Sequence, residues 1–552
     1  MDPAPSPASH RDDPSPEISR EAFHSQLFRT LTALDSWHRF RLRLFLEGIF
    51  IGLLGGLSVS LFRFLLEEAD SFRRRMYADC LVPALHRADP LPLLEWIFLL
   101  TVIGYGLYRM AKYAPLSGGS GIPQVKGVIL GVMKMKWFRI LWVKILGGAL
   151  AIGAGLSLGR EGPSIQIGAV TAEGFSRALG RTRLEERFLI TGGAGAGLAA
   201  AFNAPLAGMI FALEELHRNF SGAVLLPTMA SAVTATLVTR FFFGPSTSFH
   251  FGTLAPLPAS CLIDAVLLSA AAGFLGILFN GGLLRTGKFY GLPLFKNQYG
   301  KILFALGCAV MLGFTLPEVL GGGNRLVDEL ARRPYSLSFL LLLLAGKYLF
   351  TLISYGCGVP GGFFLPLLVL GSLLGASFGT LLVSLGLLDP LYIPNMIIIG
   401  MAALFASSVR SPITGTVLIL EMTGDFHHLM VLALASALAY ITAELLRGEP
   451  IYDALLKRSL AASPDEESER EKNIIVVTVG SGSRLENRPI SDIPAMHRTV
   501  LVEIKRSGTA LIPDPDTRLR AGDFLYFLSE SRNAAALKEM GCEQVPKDRI
   551  RW

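Results

Sequence analysis

Three glycine-rich turns have the residue types of an anion site that uses no full positive charge. They are Ser117-Gly-Gly-Ser-Gly-Ile-Pro123, Gly159-Arg-Glu-Gly-Pro163 and Gly361-Gly-Phe-Phe-Leu-Pro366. Glycine lets the backbone come close to a ligand, and proline suits the first turn of a helix, so each turn predicts a helix start. The free N–H groups and the positive dipole end of a helix start attract anions. Because partial charges bind a halide less tightly than an ammonium group does, such a site can release the ion again.

Glu161 is the one carboxylate within these turns. A carboxylate in an apolar segment is costly unless it has a function. An acidic residue also stabilises the N-terminus of its own helix, and the two interpretations are compatible. A carboxylate that fits an anion site competes with the anion, and once protonated it loses that attraction and moves out. Anion occupancy and proton binding are therefore expected to be linked at Glu161.

The composition of the chain places these turns in a membrane. Hydrophobic residues make up 51% and charged residues 17% of the 552 residues, and the mean hydropathy is +0.47. A helix needs roughly 20 apolar residues to cross the bilayer core. A soluble protein does not tolerate many such runs, so we predict an all-α polytopic membrane protein. The predicted spans include Leu46–Phe62, Leu91–Leu107, Trp142–Leu158, Leu262–Leu284, Leu337–Ile353 and Leu429–Leu446.

The charges indicate how the chain lies in the bilayer. A net charge of +7 is compatible with nucleic acid, but the basic residues are scattered at helix ends, where they contact lipid headgroups. We therefore expect membrane lipid and no nucleic acid as a partner. Basic residues at 39–43 and 457–458 predict cytoplasmic N- and C-termini, although the triplet at 73–75 runs against that orientation.

The remaining reactive residues do not form an enzyme site. His217 and the pair His427-His428 lack the companions of a metal-binding motif, and the five cysteines are widely spaced. A GxSxG match at Gly155–Gly159 lies in an apolar span and not in the strand–turn–helix that a nucleophile elbow needs. We predict no enzyme activity, no cofactor and no metal site.

An internal repeat relates the two halves of the membrane region. The segment Asn203-Ala-Pro-Leu-Ala-Gly-Met-Ile-Phe-Ala-Leu-Glu214 matches Arg410-Ser-Pro-Ile-Thr-Gly-Thr-Val-Leu-Ile-Leu-Glu421 at Pro, Gly, the last Leu and Glu. Each follows a glycine-rich interrupted segment, and interrupted segments at matching positions indicate a transporter site. The alternative is common ancestry of packing helices with no site between them.

Four zones divide the chain. Residues 1–40 are a cytoplasmic N-terminal segment, polar and disordered over 1–16 and amphipathic over 17–40, with no signal peptide expected. Residues 41–459 form the membrane domain, and 460–472 a charged linker. Residues 473–548 form a small α+β cytoplasmic domain. Its predicted strands are Ile474–Val479, Thr499–Lys505, Thr509–Ile512 and Phe524–Leu528, followed by a helix over Asn533–Met540.

Residues 38–459 resemble the CLC family of chloride channels and transporters. The resemblance rests on the three turns already described, and on Phe202-Asn-Ala-Pro-Leu-Ala-Gly208, Glu214-Glu215 and Gly448-Glu-Pro-Ile-Tyr452, all in the family's order. It implies a homodimer with a separate pore in each subunit. It also implies that each subunit is an inverted repeat of tilted and broken helices.

The resemblance assigns the anion-binding residues. Ser120 and Tyr452 would donate hydroxyl groups to a central anion, with the backbone amides of Phe363 and Phe364 completing its shell. Backbone amides around Arg160, Glu161 and Gly162 would hold an outer anion. From the residues alone, the favoured interpretation of Ser120 is a helix cap and that of Tyr452 an interfacial anchor.

The resemblance also implies a proton route. Glu161 would be the external gate and Glu215 the internal proton relay, with Glu214 as a candidate accessory. From the residues alone, Glu215 reads as a solvated charge at a helix end. Serine at position 120 goes with chloride in this family, whereas fluoride exporters usually lack both this serine and the tyrosine. Gln124, where many relatives have Glu, and Lys126 lie beside the expected proton route.

Residues 473–548 resemble the TrkA-C domain of potassium transport regulators. The matching features are Leu485–Ile493 and Thr517–Tyr526. The resemblance implies a regulatory domain that dimerises and can bind a small ligand, such as a nucleotide. A domain used for assembly alone is the alternative.

These features predict a chloride/proton antiporter that crosses the plasma membrane several times. The expected membrane is a bacterial inner membrane. The first alternative is a passive gated chloride channel of the same fold, with Glu161 acting only as a gate. A regulatory subunit of a potassium system is indicated only by the tail, and the chain has no TVGYG-like filter sequence.

Overall fold

The computed structural model describes residues 20–542 apart from gaps at 253, 296, 463–471, 494–497, 507–508 and 531–532. The expected disorder over residues 1–16 lies outside the described residues. The helices of the membrane body are α1 (Arg20–Arg75), α2 (Val82–His86), α3 (Leu91–Tyr113), α4 (Ile122–Ile129), α5 (Trp137–Gly153), α6 (Glu161–Ala178), α7 (Arg183–Phe202), α8 (Pro205–Phe211), α9 (Gly222–Phe243), α10 (Leu262–Phe289), α11 (Gln298–Thr315), α12 (Asn324–Arg332), α13 (Leu337–Gly356), α14 (Phe364–Ser384), α15 (Ile393–Val409), α16 (Pro412–Thr423), α17 (Leu429–Leu445) and α18 (Ile451–Ala462).

The helices confirm a polytopic membrane protein. In the part of the chain that the structure describes, nine helical stretches are long and apolar enough to cross a bilayer. Their outer faces carry large apolar side chains such as Phe98, Phe241 and Met430, which are 71%, 84% and 83% exposed. Such a surface requires lipid around it, since water would not solvate it. The spans run over Phe40–His86, Leu91–Tyr113, Gly222–Phe243, Ala259–Phe289, Gln298–Thr315, Leu337–Gly356, Phe364–Ser384, Pro390–Val409 and Phe426–Leu445.

Two helices differ from the sequence-based expectation. Helix α1 begins at Arg20 and runs into the first span without a break, so the N-terminal helix is not a separate element. The predicted span Trp142–Leu158 is wrong at both ends, because α5 covers Trp137–Gly153. The chain leaves the helix at Gly155, whose φ of +100° is a left-handed conformation that favours glycine, and then leads into the turn before α6.

Closely packed helix pairs occur in both halves. In the first half, a Cβ atom at Gly168 of α6 or Gly193 of α7 would overlap the backbone of the other helix. In the second half, Gly371 of α14 and Gly400 of α15 meet in the same way. Small residues allow membrane helices to approach this closely. These contacts position α6 and α14, the two helices that begin at the second and third glycine-rich turns.

The repeated segments cap each other. Helix α8 continues through a π-helical turn, Ala212–His217, and the Glu214 carboxylate there accepts hydrogen bonds from the N–H groups of Ile413 (3.2 Å) and Thr414 (2.7 Å) at the start of α16. The Glu421 carboxylate, in the last turn of α16, accepts hydrogen bonds from Leu206 (3.1 Å) and Ala207 (2.7 Å) at the start of α8. The two segments therefore lie antiparallel, as an inverted repeat requires. The matching glutamates of the repeat are reciprocal helix caps.

The tail forms a separate α+β unit, as expected. Its strands are β1 (Lys472–Thr478), β2 (Val500–Arg506), β3 (Thr509–Leu511) and β4 (Phe524–Glu530), and helix α19 covers Ala534–Cys542. They form an antiparallel sheet in the order β1-β4-β2-β3. Its core contains Ile475, Val477, Leu525, Phe527 and Leu537.

The Arg506 guanidinium makes two hydrogen bonds, of 2.8 and 2.7 Å, with Asp523 at the edge of this tail sheet. Burial alone would raise the pKa of the Asp523 carboxyl, but Arg506 and the backbone N–H of Arg520 hold that pKa below its ordinary value. The carboxylate is therefore ionised at neutral pH and stabilises the turn between residues 520 and 523.

Replacement of one reciprocal cap should destabilise the membrane body. In Glu421→Ala, two N–H groups of α8 lose a charged acceptor, and we expect unfolding to become easier by about 2 kcal/mol, since hydrogen bonds to charged groups contribute most. Thermal unfolding in detergent measures the change. The control is Glu95→Ala, an exposed glutamate on α3. Equal melting temperatures for the two variants would contradict the capping role.

Candidate anion site and its carboxylates

The three glycine-rich turns meet inside the membrane body. Gly119 N–H donates to the carbonyl of Val359 (3.0 Å), and Gly361 N–H donates to the carbonyl of Gly119 (3.0 Å). Gly159 and Gly362 exchange a further pair of backbone hydrogen bonds, 2.6 and 2.9 Å long. The third turn is thus joined to both of the others, and the two halves of the chain contribute to one place.

Each turn begins a helix, as predicted. Helices α4, α6 and α14 start at Ile122, Glu161 and Phe364, each with a proline in its first turn. The starts are in contact, because a Cβ atom at Gly162 would lie 2.8 Å from the Ser120 carbonyl oxygen and one at Gly362 would lie 3.3 Å from the Gly162 nitrogen. Glycine is required at position 162 for this approach. The first N–H groups of a helix have no partner within it, so three sets of donors lie near each other.

Two buried hydroxyl groups face this region. Ser120 is 1% exposed, and its oxygen accepts a hydrogen bond from Ile122 N–H (3.3 Å), so the capping interaction is present. Its hydroxyl also lies beside the Tyr355 hydroxyl. Tyr452 is fully buried, and its hydroxyl has no hydrogen-bond partner in the described part of the chain. Full burial excludes the alternative of an interfacial anchor. A buried hydroxyl without a protein partner is rare and fits a residue that bonds a ligand.

Aromatic rings hold the Tyr452 hydroxyl beside the start of α14. The ring of Phe363 stacks on Tyr452 with 5.5 Å between centroids and an interplanar angle of 27°. The ring of Phe211 contacts Tyr452 at 6.4 Å and Phe364 at 6.0 Å. Tyr452 therefore lies against Phe363, the residue before α14, while Ser120 lies beside Gly162 at the start of α6.

Glu161 lies at the start of α6 and is fully buried. Neither of its carboxylate oxygens forms a hydrogen bond of good geometry with the described residues. The nearest cation is Arg160, whose Nε lies 4.0 Å from Glu161 Oε1. The backbone N–H groups of Glu161 and Leu365 also lie close to this carboxylate, so its charge is compensated by weak polar contacts and one cation 4.0 Å away.

A cavity of about 720 Å³ adjoins the Arg160 side of the turns. The Arg160 guanidinium lies 3.6 Å from the Glu67 carboxylate across this cavity. Leu158 and Leu365, which flank the second and third turns, also line it. The cavity therefore leads from the surface to the region of Glu161. Its charged lining consists of Arg63, Glu67, Asp70, Arg73, Arg74, Arg160, Arg325, Glu318 and Glu329.

Glu215 is buried rather than solvated. It is 2% exposed, in the π-helical turn after α8, so the interpretation as a solvated helix-end charge is wrong. Its carboxylate accepts hydrogen bonds from the Lys126 ammonium (2.6 Å) and the Ser411 hydroxyl (3.2 Å). Glu214 points the other way and caps α16, which gives it a structural contact of its own. The paired carboxylates at 214 and 215 are thus in different environments.

Two buried groups near the turns were missed by the sequence analysis. Lys144 on α5 is fully buried and donates to the carbonyl of Gly119 (2.6 Å), so a lysine side chain lies behind the first turn. The Tyr355 hydroxyl lies 3.0 Å from where a Cβ atom of Gly119 would be. A lysine inside the apolar run Trp137–Gly153 was a usable signal, since such charges are seldom tolerated without a role.

The histidines do not gather around a metal. No group of three or more metal-binding side chains occurs among the described residues. His217 contacts the Thr191 hydroxyl at 3.0 Å. His428 lies in the short connection between α16 and α17, is 3% exposed and lies 2.9 Å from the side-chain amide of Asn395.

Family models match both parts of the chain. The model described as voltage gated chloride channel matches residues 99–444, and the TrkA-C domain model matches residues 474–540. The first match covers more than half of the chain and contains all three glycine-rich turns.

Curated relatives share the membrane body. H(+)/Cl(-) exchange transporter ClcA of Vibrio cholerae serotype O1 is 35% identical over 421 residues, which are 75% of this chain and 89% of that relative. The protein of the same name from Salmonella agona is 35% identical over 423 residues, covering 74% of this chain and 87% of the relative.

Solved structures share the fold. A slow cyanobacterial Cl⁻/H⁺ antiporter superposes with a TM-score of 0.70 at 31% identity, covering 76% of this chain and 99% of the other. A CLC-type fluoride/proton antiporter gives a TM-score of 0.61 at 25% identity, covering 75% of this chain and 97% of the other. The chain therefore belongs to the voltage-gated chloride channel family, the CLC channels and transporters, and carries a TrkA-C domain after its membrane body.

Proposed function

We propose that the protein exchanges chloride for protons across a bacterial plasma membrane. The observation that carries this proposal is that two buried carboxylates, Glu161 and Glu215, both lie within electrostatic range of the unpartnered Tyr452 hydroxyl. Relatives 35% identical to the chain are named as H⁺/Cl⁻ exchange transporters, and a structure 31% identical to it is a Cl⁻/H⁺ antiporter. A transporter that couples two ions needs binding groups for both, and this region contains both.

The central anion is bound by neutral donors. Chloride binds between four donors. These are the hydroxyl groups of Ser120 and Tyr452 and the backbone N–H groups of Phe363 and Phe364 at the start of α14. These donors carry partial charge, and the Lys144 side chain behind the first turn donates to the Gly119 carbonyl. Weak, shared binding of this kind allows the ion to leave again, as conduction and exchange require. Chloride is the transported ligand, and no cofactor takes part.

The outer anion and the Glu161 carboxylate compete for one set of donors. The backbone amides of Arg160, Glu161 and Gly162 at the start of α6 attract either negative charge through the helix dipole. When Glu161 is ionised, its carboxylate occupies the outer position and excludes chloride. When it takes up a proton, the attraction is lost and chloride enters from the cavity beside Arg160. Proton uptake at Glu161 and chloride movement are thereby linked.

Glu215 accepts protons from the opposite side. Burial of a carboxylate costs free energy unless a partner compensates it, and Lys126 supplies that partner. A passive channel needs Glu161 as a gate but has no need for a second buried titratable group near the anion. Glu215 therefore favours exchange over the channel alternative.

Chloride is the favoured anion over fluoride. At Ser120 and Tyr452 the chain resembles the chloride-selective members of the family. Both residues are buried. The fluoride/proton antiporter structure shares the fold at 25% identity, so the fold alone does not distinguish the ions. The distinction rests on the two side chains.

The assembly and orientation follow from the same proposal. We place both termini in the cytoplasm, so Glu161 faces outward and Glu215 inward, and we place a homodimer in the lipid bilayer with one pore per subunit. The TrkA-C match supports a regulatory tail that can take a small ligand such as a nucleotide. Enzymatic activity has no part in this function.

Glu161→Gln should separate the two ions. The amide imitates the protonated carboxyl, so chloride flux from proteoliposomes persists while chloride-driven proton movement falls to background. A chloride electrode and an internal pH dye measure the two fluxes in one sample, with the unaltered protein moving both ions. Glu68→Gln, an exposed glutamate on α1, is the control. Proton movement at the control level in Glu161→Gln would contradict the gate.

Glu215→Gln should stop proton movement and leave chloride binding intact. The amide keeps the size and hydrogen-bonding capacity of the side chain but cannot carry a proton at neutral pH. We expect the chloride dissociation constant from calorimetry to change by less than about twofold, because the anion donors are not altered. The control is Glu444→Gln, whose carboxylate is 68% exposed and pairs with Arg410. Unchanged proton flux in Glu215→Gln would exclude Glu215 from the proton route.

A further inference from the structure

Lys126 joins the buried Glu215 to a second carboxylate. Its ammonium lies 2.6 Å from Glu215 Oε1 and 2.6 Å from Asp453 Oδ1. The side chains of Lys126 and Glu215 are each 2% exposed, whereas that of Asp453 is 27% exposed. The other oxygen of Asp453 accepts a hydrogen bond from Arg218 (2.6 Å), whose side chain is 53% exposed. The charged groups thus form a row that leads from the interior toward the surface.

The same two helices supply the anion donors and this row. Lys126 lies on α4, which begins next to Ser120, and Asp453 directly follows Tyr452 at the start of α18. A change in the contact between Lys126 and the carboxylates is therefore transmitted to elements that carry both hydroxyl groups. Lys126, Asp453 and the two hydroxyl donors are therefore positioned by the same two helices, α4 and α18.

A buried carboxylate that takes up and releases protons leaves a buried charge to be compensated in each of its two protonation states. In the ionised state it needs a cation, because an unpaired buried charge is strongly destabilising. In the protonated state the partner cation is left behind and needs an anion of its own. A simple Lys–Glu pair compensates the ionised carboxylate. It leaves the ammonium without an anion once the carboxyl is protonated.

We propose that Lys126 and Asp453 are the positioning residues that let Glu215 cycle between its two charge states, a proposal that rests on the proposed proton exchange. With Glu215 ionised, the ammonium is shared between both carboxylates. When a proton adds to a Glu215 oxygen and forms an O–H bond, the ammonium keeps its bond with Asp453. The Ser411 hydroxyl can remain beside Glu215 in either state.

Four variants test the charge balance in proteoliposomes. Lys126→Met leaves the Glu215 carboxylate without a cation, so Glu215 stays protonated, and Asp453→Asn leaves the ammonium without its second anion, so Glu215 stays ionised. For both we expect the ratio of proton to chloride flux to fall about tenfold or more, because breaking a buried pair is strongly destabilising. Lys126→Arg and Asp453→Glu keep the charges, so each should restore the ratio to within about threefold of the unaltered protein.

Chloride flux in the same vesicles shows whether each variant is folded. Lys347→Met is the control for loss of a buried lysine, because Lys347 is fully buried and its hydrogen bonds go to the carbonyls of Val319 (3.0 Å) and Gly321 (2.7 Å). It should keep the flux ratio. If Lys126→Met retains the ratio, or if Lys126→Arg loses it as fully as Lys126→Met, the proposal is overturned.

The outcomes distinguish this proposal from the function on which it rests. If the unaltered protein moves chloride but no protons, proton exchange itself is contradicted, and the positioning role falls with it. If the unaltered protein is coupled and both Lys126→Met and Asp453→Asn are equally coupled, only the role of Lys126 and Asp453 is contradicted. Should Asp453→Asn alone lose coupling while Lys126→Met keeps it, Asp453 acts without Lys126 and the proposal is again overturned.

Discussion

The backbone hydrogen bonds among the three glycine-rich turns hold the rest of the site in place. Backbone at membrane depth must find its hydrogen-bond partners inside the protein, and here Gly119, Gly159 and the 359–362 segment satisfy one another. That arrangement brings three helix starts together, with their first N–H groups aimed at a shared region. It depends on the absence of side chains, because a Cβ atom at Gly162 would collide with Ser120. We attribute the proposed selectivity for anions to this backbone arrangement before any charged side chain is considered.

Glutamates in the membrane body differ in what compensates their charge. Glu214 and Glu421 receive backbone N–H groups from each other's segment, so they are fixed helix caps. Glu215 receives an ammonium that it shares with Asp453. Glu161 receives no well-formed hydrogen bond although it is fully buried. Compensation decreases from the capping residues to the proposed gate, and it distinguishes neighbouring carboxylates such as Glu214 and Glu215.

Local sequence signals predicted much of this arrangement, and long-range contacts account for what they missed. Glycine and proline spacing predicted the starts of α4, α6 and α14, and the pattern of strands and turns in the tail predicted its four strands to within two residues at each end. The matched segments ending at Glu214 and Glu421 predicted the inverted repeat, but their capping role depends on contacts between residues about 200 positions apart. The burial of His428 and the Lys126–Asp453 contact likewise arise only when distant helices pack. The end of α5 was misplaced because an apolar run continues past Gly155, where the helix does not.

The central claim is that neutral donors from separate turns bind one halide between Ser120 and Tyr452. Anomalous diffraction from crystals of the Glu161→Gln variant grown in bromide tests it most directly, since bromide can replace chloride and scatters anomalously. The account predicts an anomalous peak about 3–3.5 Å from both hydroxyl oxygens and from the Phe363 and Phe364 nitrogens, at hydrogen-bonding range for a large anion. Strong bromide peaks elsewhere in the membrane body, with none between these groups, would contradict it.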